Sequence, residues 1–258
     1  MKVAQRHQAI LDLLEGCDAN VERLSAALCV SEVTIRRDLN TLARERRLVR
    51  TYGGAAALMG GYEPEVSLEG RKAAQQEEKA ALALAAVAHI KPGDSIMLDG
   101  GTTCAAFARR LTAIPNLHVI TGNLLVVGTL AAAEGVRITL LGGELRTTSM
   151  STLGPLAVLA LDRLSIDTAF LSADGVLASH GLCEATAEQA YLKERIIERT
   201  SEVIVLADAS KLGRARQHHW TPLTRSWRLM TTALSSAEQL APFRAMSRIS
   251  VEVVPIAP

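Results

Sequence analysis

Between Ser31 and Leu42 the apolar side chains Ile35, Leu39 and Leu42 recur at the i, i+4, i+7 spacing of one helical face. Ser31 stands just before them, where its hydroxyl can accept a free backbone N–H of the first turn. Glu32 puts negative charge at the positive end of the helix dipole. At about 100° per residue, Val33, Arg37, Asn40 and Arg44 point away from the Ile35 face, with Thr34 and Arg36 on its flanks. Upstream, Asn20 is placed to cap a short helix from Val21 to Leu28, with Leu24, Ala27 and Leu28 on one side. Cys29-Val30-Ser31 is then a three-residue turn. An earlier helix, from about Gln5 to Leu14, offers Ile10, Leu11 and Leu14 to pack beneath the pair. Downstream, Leu48 to Gly54 is a short strand and a glycine turn that includes Arg50 and Tyr52. Together these elements predict a winged helix-turn-helix over residues 1–54.

The pattern then breaks. Residues 55–74 hold Gly60-Gly61 and Pro64, show no clean periodicity and are expected to be a linker. From Gln75 short apolar runs alternate with helical spacing. Helices are expected over Gln75–Ile90, Cys104–Leu111, Leu124–Glu134, Pro155–Leu164, Glu188–Arg199 and about Ala237–Met246. Strands are expected over Ser95–Asp99, Leu117–Thr121, Val136–Leu141, Thr168–Ser172, Val203–Ala207, Trp227–Thr232 and Ile249–Val254. Strands alternating with helices predict a mostly parallel α/β sheet over residues 75–258, covered on both faces.

Composition refines this picture at three points. With 48% hydrophobic residues the chain can bury a large core, so global disorder is excluded. The net charge is only +1, yet from Ser31 to Tyr52 six arginines face three acidic residues. A local basic patch on a neutral chain suits a small nucleic-acid-binding head on a larger body. Aromatics at 3% weigh against single-strand binding by base stacking. Cys17, Cys29, Cys104 and Cys183 are far apart and form no metal or redox motif. They are expected to be small buried residues of a reducing compartment. The histidines do not assemble a ligand set, and His218-His219 is read as a solvated loop, so no metal or cofactor is expected. The N-terminus lacks the apolar core of a signal peptide, and no run is long enough for a bilayer, so a cytoplasmic protein with no membrane partner is expected.

The polar strand ends supply the chemistry. In Asp99-Gly100-Gly101-Thr102-Thr103, two glycines let the backbone approach an anion, two hydroxyls add donors, and a helix start follows. Neither a Walker loop nor a dinucleotide fingerprint is present. Lys211 can add a cation. Asp99 and Asp174 can accept hydrogen bonds from sugar hydroxyls, and Asn123 can donate or accept. Gly142-Gly143 and Gly175 close two other strand ends. Singly, each has an ordinary structural explanation; jointly, at the carboxyl ends of strands, they point to one effector pocket.

The run Val30 to Leu39, then Leu48-Val49-Arg50 and Gly53-Gly54-Ala55, resembles the N-terminal signature of the DeoR family of bacterial transcription regulators. Leu98–Thr103, Leu140–Arg146, Ala169–Gly175 and Leu206–Gly213 are similar, in the same order, to its sensor domain. The resemblance implies a sensor similar in fold to ribose-5-phosphate isomerase and the CoA transferases, receiving a phosphorylated sugar or related metabolite. It implies that Gly100–Thr103 takes the phosphate and that Asp99, Asp174 and Lys211 take the rest. Two departures stand out. Thr121-Gly122-Asn123 shifts the family's Asn by one place, and the Glu and Lys of the late helix have loose counterparts in Glu188 and Lys193.

The expected function is a DNA-binding regulator, a repressor of a carbohydrate catabolic operon, and not an enzyme. The head would meet a double-stranded operator through Ser31, Val33, Thr34, Arg36, Arg37, Asn40, Arg44, Arg50 and Tyr52, groups suited to base edges, thymine methyls and phosphates. A homodimer or homotetramer would match half-sites one helical turn or its multiples apart. The alternatives are a sugar-phosphate isomerase-like enzyme with an accessory head and an architectural DNA binder. Turnover of aldose or ketose phosphates marks the first, and a ligand-induced rise in melting temperature excludes the second.

Overall fold

The computed structural model describes residues 3–14, 19–45, 47–51, 54–57, 65–215 and 217–256. The head contains α1 (Val3–Leu14), β1 (Ala19–Asn20), α2 (Val21–Leu28), α3 (Glu32–Arg44), β2 (Leu48–Thr51) and β3 (Gly54–Ala57). Asn20 caps α2 by accepting from Arg23 N, and Ser31 caps α3 by accepting from Thr34 N. The core of the head joins Ile10 and Leu14 to Val21, Leu24, Ile35, Leu39, Leu42, Leu48 and Ala55. β2 and β3 form the wing, and β1 pairs with the outer side of β3.

Three details depart from the sequence pattern. Ala27 is exposed, and Val21 replaces it on the buried side of α2. Cys29, expected to be buried, is exposed and left-handed (φ 52°) at the end of α2, because the tight turn needs a residue there with positive φ. Pairing with β2 carries the wing strand to Ala57, inside the segment read as linker. Tyr52 lies outside the described residues. Arg50 is placed in β2 by its backbone, and its side chain is outside the description.

The body follows in the order α4 (Leu68–Ala73), α5 (Gln76–Ala86), β4 (Ser95–Leu98), α6 (Thr102–Ala108), β5 (Leu117–Thr121), α7 (Leu124–Leu130), β6 (Val136–Leu140), β7 (Glu144–Arg146), β8 (Ser151–Leu153), α8 (Pro155–Leu161), β9 (Ile166–Leu171), β10 (Gly175–Leu177), β11 (Gly181–Glu184), α9 (Ala187–Glu198), β12 (Thr200–Leu206), β13 (His219–Thr221), β14 (Trp227–Thr232), α10 (Ala237–Arg244) and β15 (Ile249–Val254). Seven strands form a parallel sheet in the order β15-β14-β12-β9-β4-β5-β6. Alternate residues divide the core, as the twofold repeat of a strand requires. Ile96, Leu98, Phe170, Ile204 and Leu206 pack with residues of α5, α6 and α7. Met97, Ala169, Leu171, Val203 and Val205 pack with residues of α8, α9 and α10.

Some elements fall outside the expected pattern. α4 lies in the segment read as linker, capped by Ser67. β7 and β8 form a hairpin, and β10, β11 and β13 form a small antiparallel sheet. That sheet puts His219, read as loop, into a strand. Its strands are three or four residues long, and β10 and β11 are buried on every residue, so they carry no alternation. No helix among the described residues is long and apolar enough to cross a membrane.

The strand order places the site. β4 lies beside the central strand β9; from β4 the chain runs outward on one side to β6, then returns to β9 on the other side of β4. The carboxyl ends of β4 and β9 are therefore where successive connections part, the crevice in which open α/β sheets hold ligands.

Candidate functional site

Asp99 follows β4 and Ser172 follows β9, and the two ends are tied together. Asp99 Oδ2 accepts from Ser172 N at 3.1 Å, and the Ser172 hydroxyl donates to Gly100 O at 2.6 Å. Gly101 has φ 105°, and a Cβ there would lie 2.8 Å from Ser172 Oγ. Glycine is therefore required both by the backbone angle and by the close approach of the neighbouring strand end. Below the loop, Asn123 is fully buried. Its Nδ2 donates to Asp99 O at 3.1 Å and to Gly101 O at 3.0 Å, while its Oδ1 accepts from Leu125 N.

These residues open into a cavity of about 440 Å³, within the range of small-molecule sites. Asp99, Gly100, Gly101, Thr102, Thr103, Asp174 and Lys211, from the expected effector set, all line it. Asn123, Gly142, Gly143 and Gly175 are not among the lining residues. Asn123 braces the loop from behind. A Cβ on Gly143 would lie 2.1 Å from Leu153 O, and one on Gly175 would lie 2.0 Å from Arg214 O, so both glycines admit a crossing backbone. Gly142 has open space around its Cβ position.

The cavity also holds residues that spacing did not reveal. Lys193, on α9, is buried between two carboxylates: its Nζ lies 2.9 Å from Asp99 Oδ2 and also donates to Glu184 and to Ser172 O. Burial alone would lower the ammonium pKa, but Asp99 and Glu184 outweigh it and hold Lys193 above the ordinary lysine value. Burial pushes the Glu184 carboxyl up to about 8, with Lys193 opposing only in part. Glu188, the other loose counterpart, is exposed and does not line the cavity; its neighbour Gln189 does. Cys104, behind the loop, has its thiol pushed up to about 12 by burial and by the Asp99 charge, so it is an inert core residue.

A second wall comes from α4 and the start of α5. Lys79 donates to the carbonyls of Arg71 and Ala74, at the end of α4. Burial lowers its ammonium pKa, with the Asp208 charge opposing. Thr102 Oγ1 donates to the same Arg71 carbonyl at 3.3 Å. The Arg71 guanidinium lies 3.3 Å from Glu65 and also donates to Thr148 O. Glu65 in turn accepts from Arg146 of β7. Lys211 and Arg214 line the cavity with no ion pair among the described residues, which leaves two cations in the same cavity as the glycine-threonine loop. The arrangement can take an anion at the loop and hydrogen-bond donors at its acidic floor.

In the head, Val33 is 77% exposed. Ser31, Arg36, Arg37, Asn40 and Arg44 are also exposed, and Thr34 is half-buried. Arg36 pairs with Glu32 at 3.0 Å, so part of its charge is engaged within α3. One feature of α3 was not legible in its spacing. Asp38 turns inward and accepts from Arg6 and His7 of α1, at 2.5 Å and 3.2 Å. Burial would raise its pKa, and the hydrogen bonds from Arg6 and His7 hold it below the ordinary carboxylate range instead.

Comparison with known proteins agrees with this division. Residues 6–59 match the model of the DeoR-like helix-turn-helix domain, and residues 74–233 match that of the DeoR C terminal sensor domain. The chain is 35% identical over 215 residues to the glycerol-3-phosphate regulon repressor of Escherichia coli, covering 83% of this chain and 84% of that protein. It is 33% identical over 231 residues to the transcriptional repressor GlcR of Bacillus subtilis, covering 89% and 88%. Among solved structures, ribose 5-phosphate isomerase A of Methanocaldococcus jannaschii aligns with a TM-score of 0.38 and 22% identity over 52% of each chain. With a reading head, a sensor body and relatives that match along both, the chain belongs to the DeoR family of transcriptional regulators.

Proposed function

We propose that this protein is a repressor of a carbohydrate catabolic operon, released or engaged by a phosphorylated sugar or related metabolite. The observation that carries this reading is the cavity at the parting of β4 and β9, where a Gly-Gly-Thr-Thr loop, Lys211 and Arg214 meet the carboxylates of Asp99, Asp174 and Glu184. Backbone N–H groups, hydroxyls and cations suit a phosphate. Carboxylates suit sugar hydroxyls. The names of relatives, a glycerol-3-phosphate regulon repressor and a putative aga operon repressor, support the same class of metabolite.

In this reading α3 enters the major groove. Val33, Arg37, Asn40 and Arg44 face the DNA, Ser31, Thr34 and Arg36 stand at the flank, and Arg50 belongs to the wing. A homodimer or homotetramer supplies the second reading head. The effector shifts the balance between arrangements that fit the operator and those that do not, which requires unequal affinity for the two. The test is a thermal-shift screen of phosphorylated sugars and sugar acids, followed by titration of the hit against the protein bound to its own upstream DNA. A raised melting temperature with altered DNA affinity supports the proposal; a hit that leaves DNA affinity unchanged overturns it.

A further inference from the structure

Two helices of the body begin alike and then diverge. In α10, Ser236 is the N-cap and Gln239 stands three residues on; the Gln239 side chain accepts from Ser236 N at 2.9 Å and closes a capping box. In α9, Thr186 is the N-cap and Gln189 stands three residues on, and Thr186 Oγ1 again accepts from the backbone N at 3.3 Å. Gln189 does not complete the box. Its side-chain oxygen is buried, lacks a hydrogen-bond partner among the described residues and belongs to a residue lining the cavity. One turn further along the same helix face lies Lys193, which reaches the cavity floor. Another buried polar atom without a partner among the described residues, Arg71 Nε, belongs to a lining residue as well.

A local bond open to Gln189 is thus left unmade at the cavity wall. Unpartnered buried polar groups are uncommon and call for a reason. We infer that Gln189 is a specificity-determining residue, whose amide receives a hydroxyl of the polyol part of the ligand. This rests on the phosphorylated-sugar reading of the cavity and adds how one sugar is told from another. The phosphate is held by the loop and the cations; the hydroxyl pattern is read from α9. A site that hydrogen-bonds a particular hydroxyl discriminates against analogues lacking it, because the partner is then left bare.

The test uses the full chain with inorganic phosphate, glycerol 3-phosphate, ribose 5-phosphate, glucose 6-phosphate and fructose 6-phosphate as probes, by calorimetry and thermal shift. In Gln189→Met, the sugar ester that binds the wild type best should weaken by roughly 3- to 10-fold, as loss of one neutral hydrogen bond gives. Inorganic phosphate should stay within about twofold. The melting temperature without ligand should hold or rise, because an unpaired buried oxygen has been removed. Gln189→Ala repeats the affinity test should methionine pack poorly. Among monodeoxy analogues of the bound ester, one should bind wild type and variant alike. Unchanged sugar affinity in both variants overturns the inference. So does a lower ligand-free melting temperature with equal losses for ester and phosphate, which would make Gln189 structural. If no probe stabilises the wild type, the phosphorylated-sugar reading falls first and takes this inference with it.

Discussion

Lys193 Nζ stands 2.9 Å from Asp99 Oδ2, so a cation on α9 is locked to the residue that begins the glycine-threonine loop. Glu184 completes the cluster from β11. All three side chains are less than 10% exposed, so removing the cation leaves the Asp99 carboxylate in a poor solvent beside the Glu184 carboxyl. Lys193→Met should cost about 3–5 kcal/mol of stability, the usual effect of breaking a buried pair. Adding Glu184→Gln should return part of it. Urea unfolding of both variants measures this, and a Lys193→Met protein as stable as wild type would refute the locking role.

The same cluster predicts a pH dependence. Glu184 has a folded pKa of about 8 against an ordinary value of 4.5, raised chiefly by burial. Between those values the folded state holds the proton and the unfolded state does not, so stability falls as pH rises. The contribution is complete below about pH 4.5 and is lost as pH climbs through 8. Glu184→Gln cannot ionise. Melting temperatures from pH 5 to 9 should therefore fall less steeply in the variant than in the wild type.

The head carries the opposite sign. Burial tends to raise the Asp38 pKa, but the hydrogen bonds from Arg6 and His7 bring it below the ordinary value of 3.8. Its stabilisation is present above that value and disappears as pH falls through the lower folded one. Asp38→Asn should lower the melting temperature of the head at pH 7. The difference from wild type should shrink as pH falls below 3.8; a gap that does not narrow in acid would exclude the ion pair as its source.

On the DNA side, Arg37→Ala should weaken operator binding by about 1–3 kcal/mol and relax preference at one base pair, if Arg37 reads a guanine. Arg44→Ala should weaken all sequences alike and reduce the salt slope by about one, as for a phosphate contact. Fluorescence titrations over a salt series separate the two. Equal affinity of wild type and Arg37→Ala would remove Arg37 from the interface.

The two glycines after β6 differ in what they can accept. Gly142→Ala meets open space and should leave both fold and effector binding intact. Gly143→Ala sets a Cβ 2.1 Å from Leu153 O at φ 121°, and should destabilise by more than about 1 kcal/mol. Chemical denaturation and a phosphorylated-probe titration distinguish them. Loss of ligand affinity in a stable Gly142→Ala protein would restore Gly142 to the binding surface.

The elements that sequence revealed are those with a strong period. The Ile35-Leu39-Leu42 stripe fixed α3, and apolar runs located the seven strands of the main sheet within a few residues. β10 and β11 escaped because each is short and buried throughout, which erases alternation. At the site, the loop from Asp99 to Thr103 announced itself through its glycines and threonines. Lys193 was named only through the family resemblance and Glu184 not at all, since an ion pair between a helix and a small sheet leaves no spacing rule. Asn123 carried a plausible ligand chemistry, yet its side-chain nitrogen donates to two carbonyls of the loop and its oxygen caps α7 by accepting from Leu125 N. The inward turn of Asp38 was hidden because a charged residue one place before a core leucine reads as solvent-facing.

The hydroxyl of Thr102 is bonded to the Arg71 carbonyl, at the last turn of the helix that follows the wing and leads into the body. The rest of the loop is braced beforehand by Ser172 and Asn123, so an arriving anion finds little there to rearrange. On the proposed reading, an anion that recruits the Thr102 hydroxyl must break its bond to that carbonyl. In that reading, occupancy and the anchoring of α4 compete for one hydrogen atom, so each weakens the other by the same coupling factor.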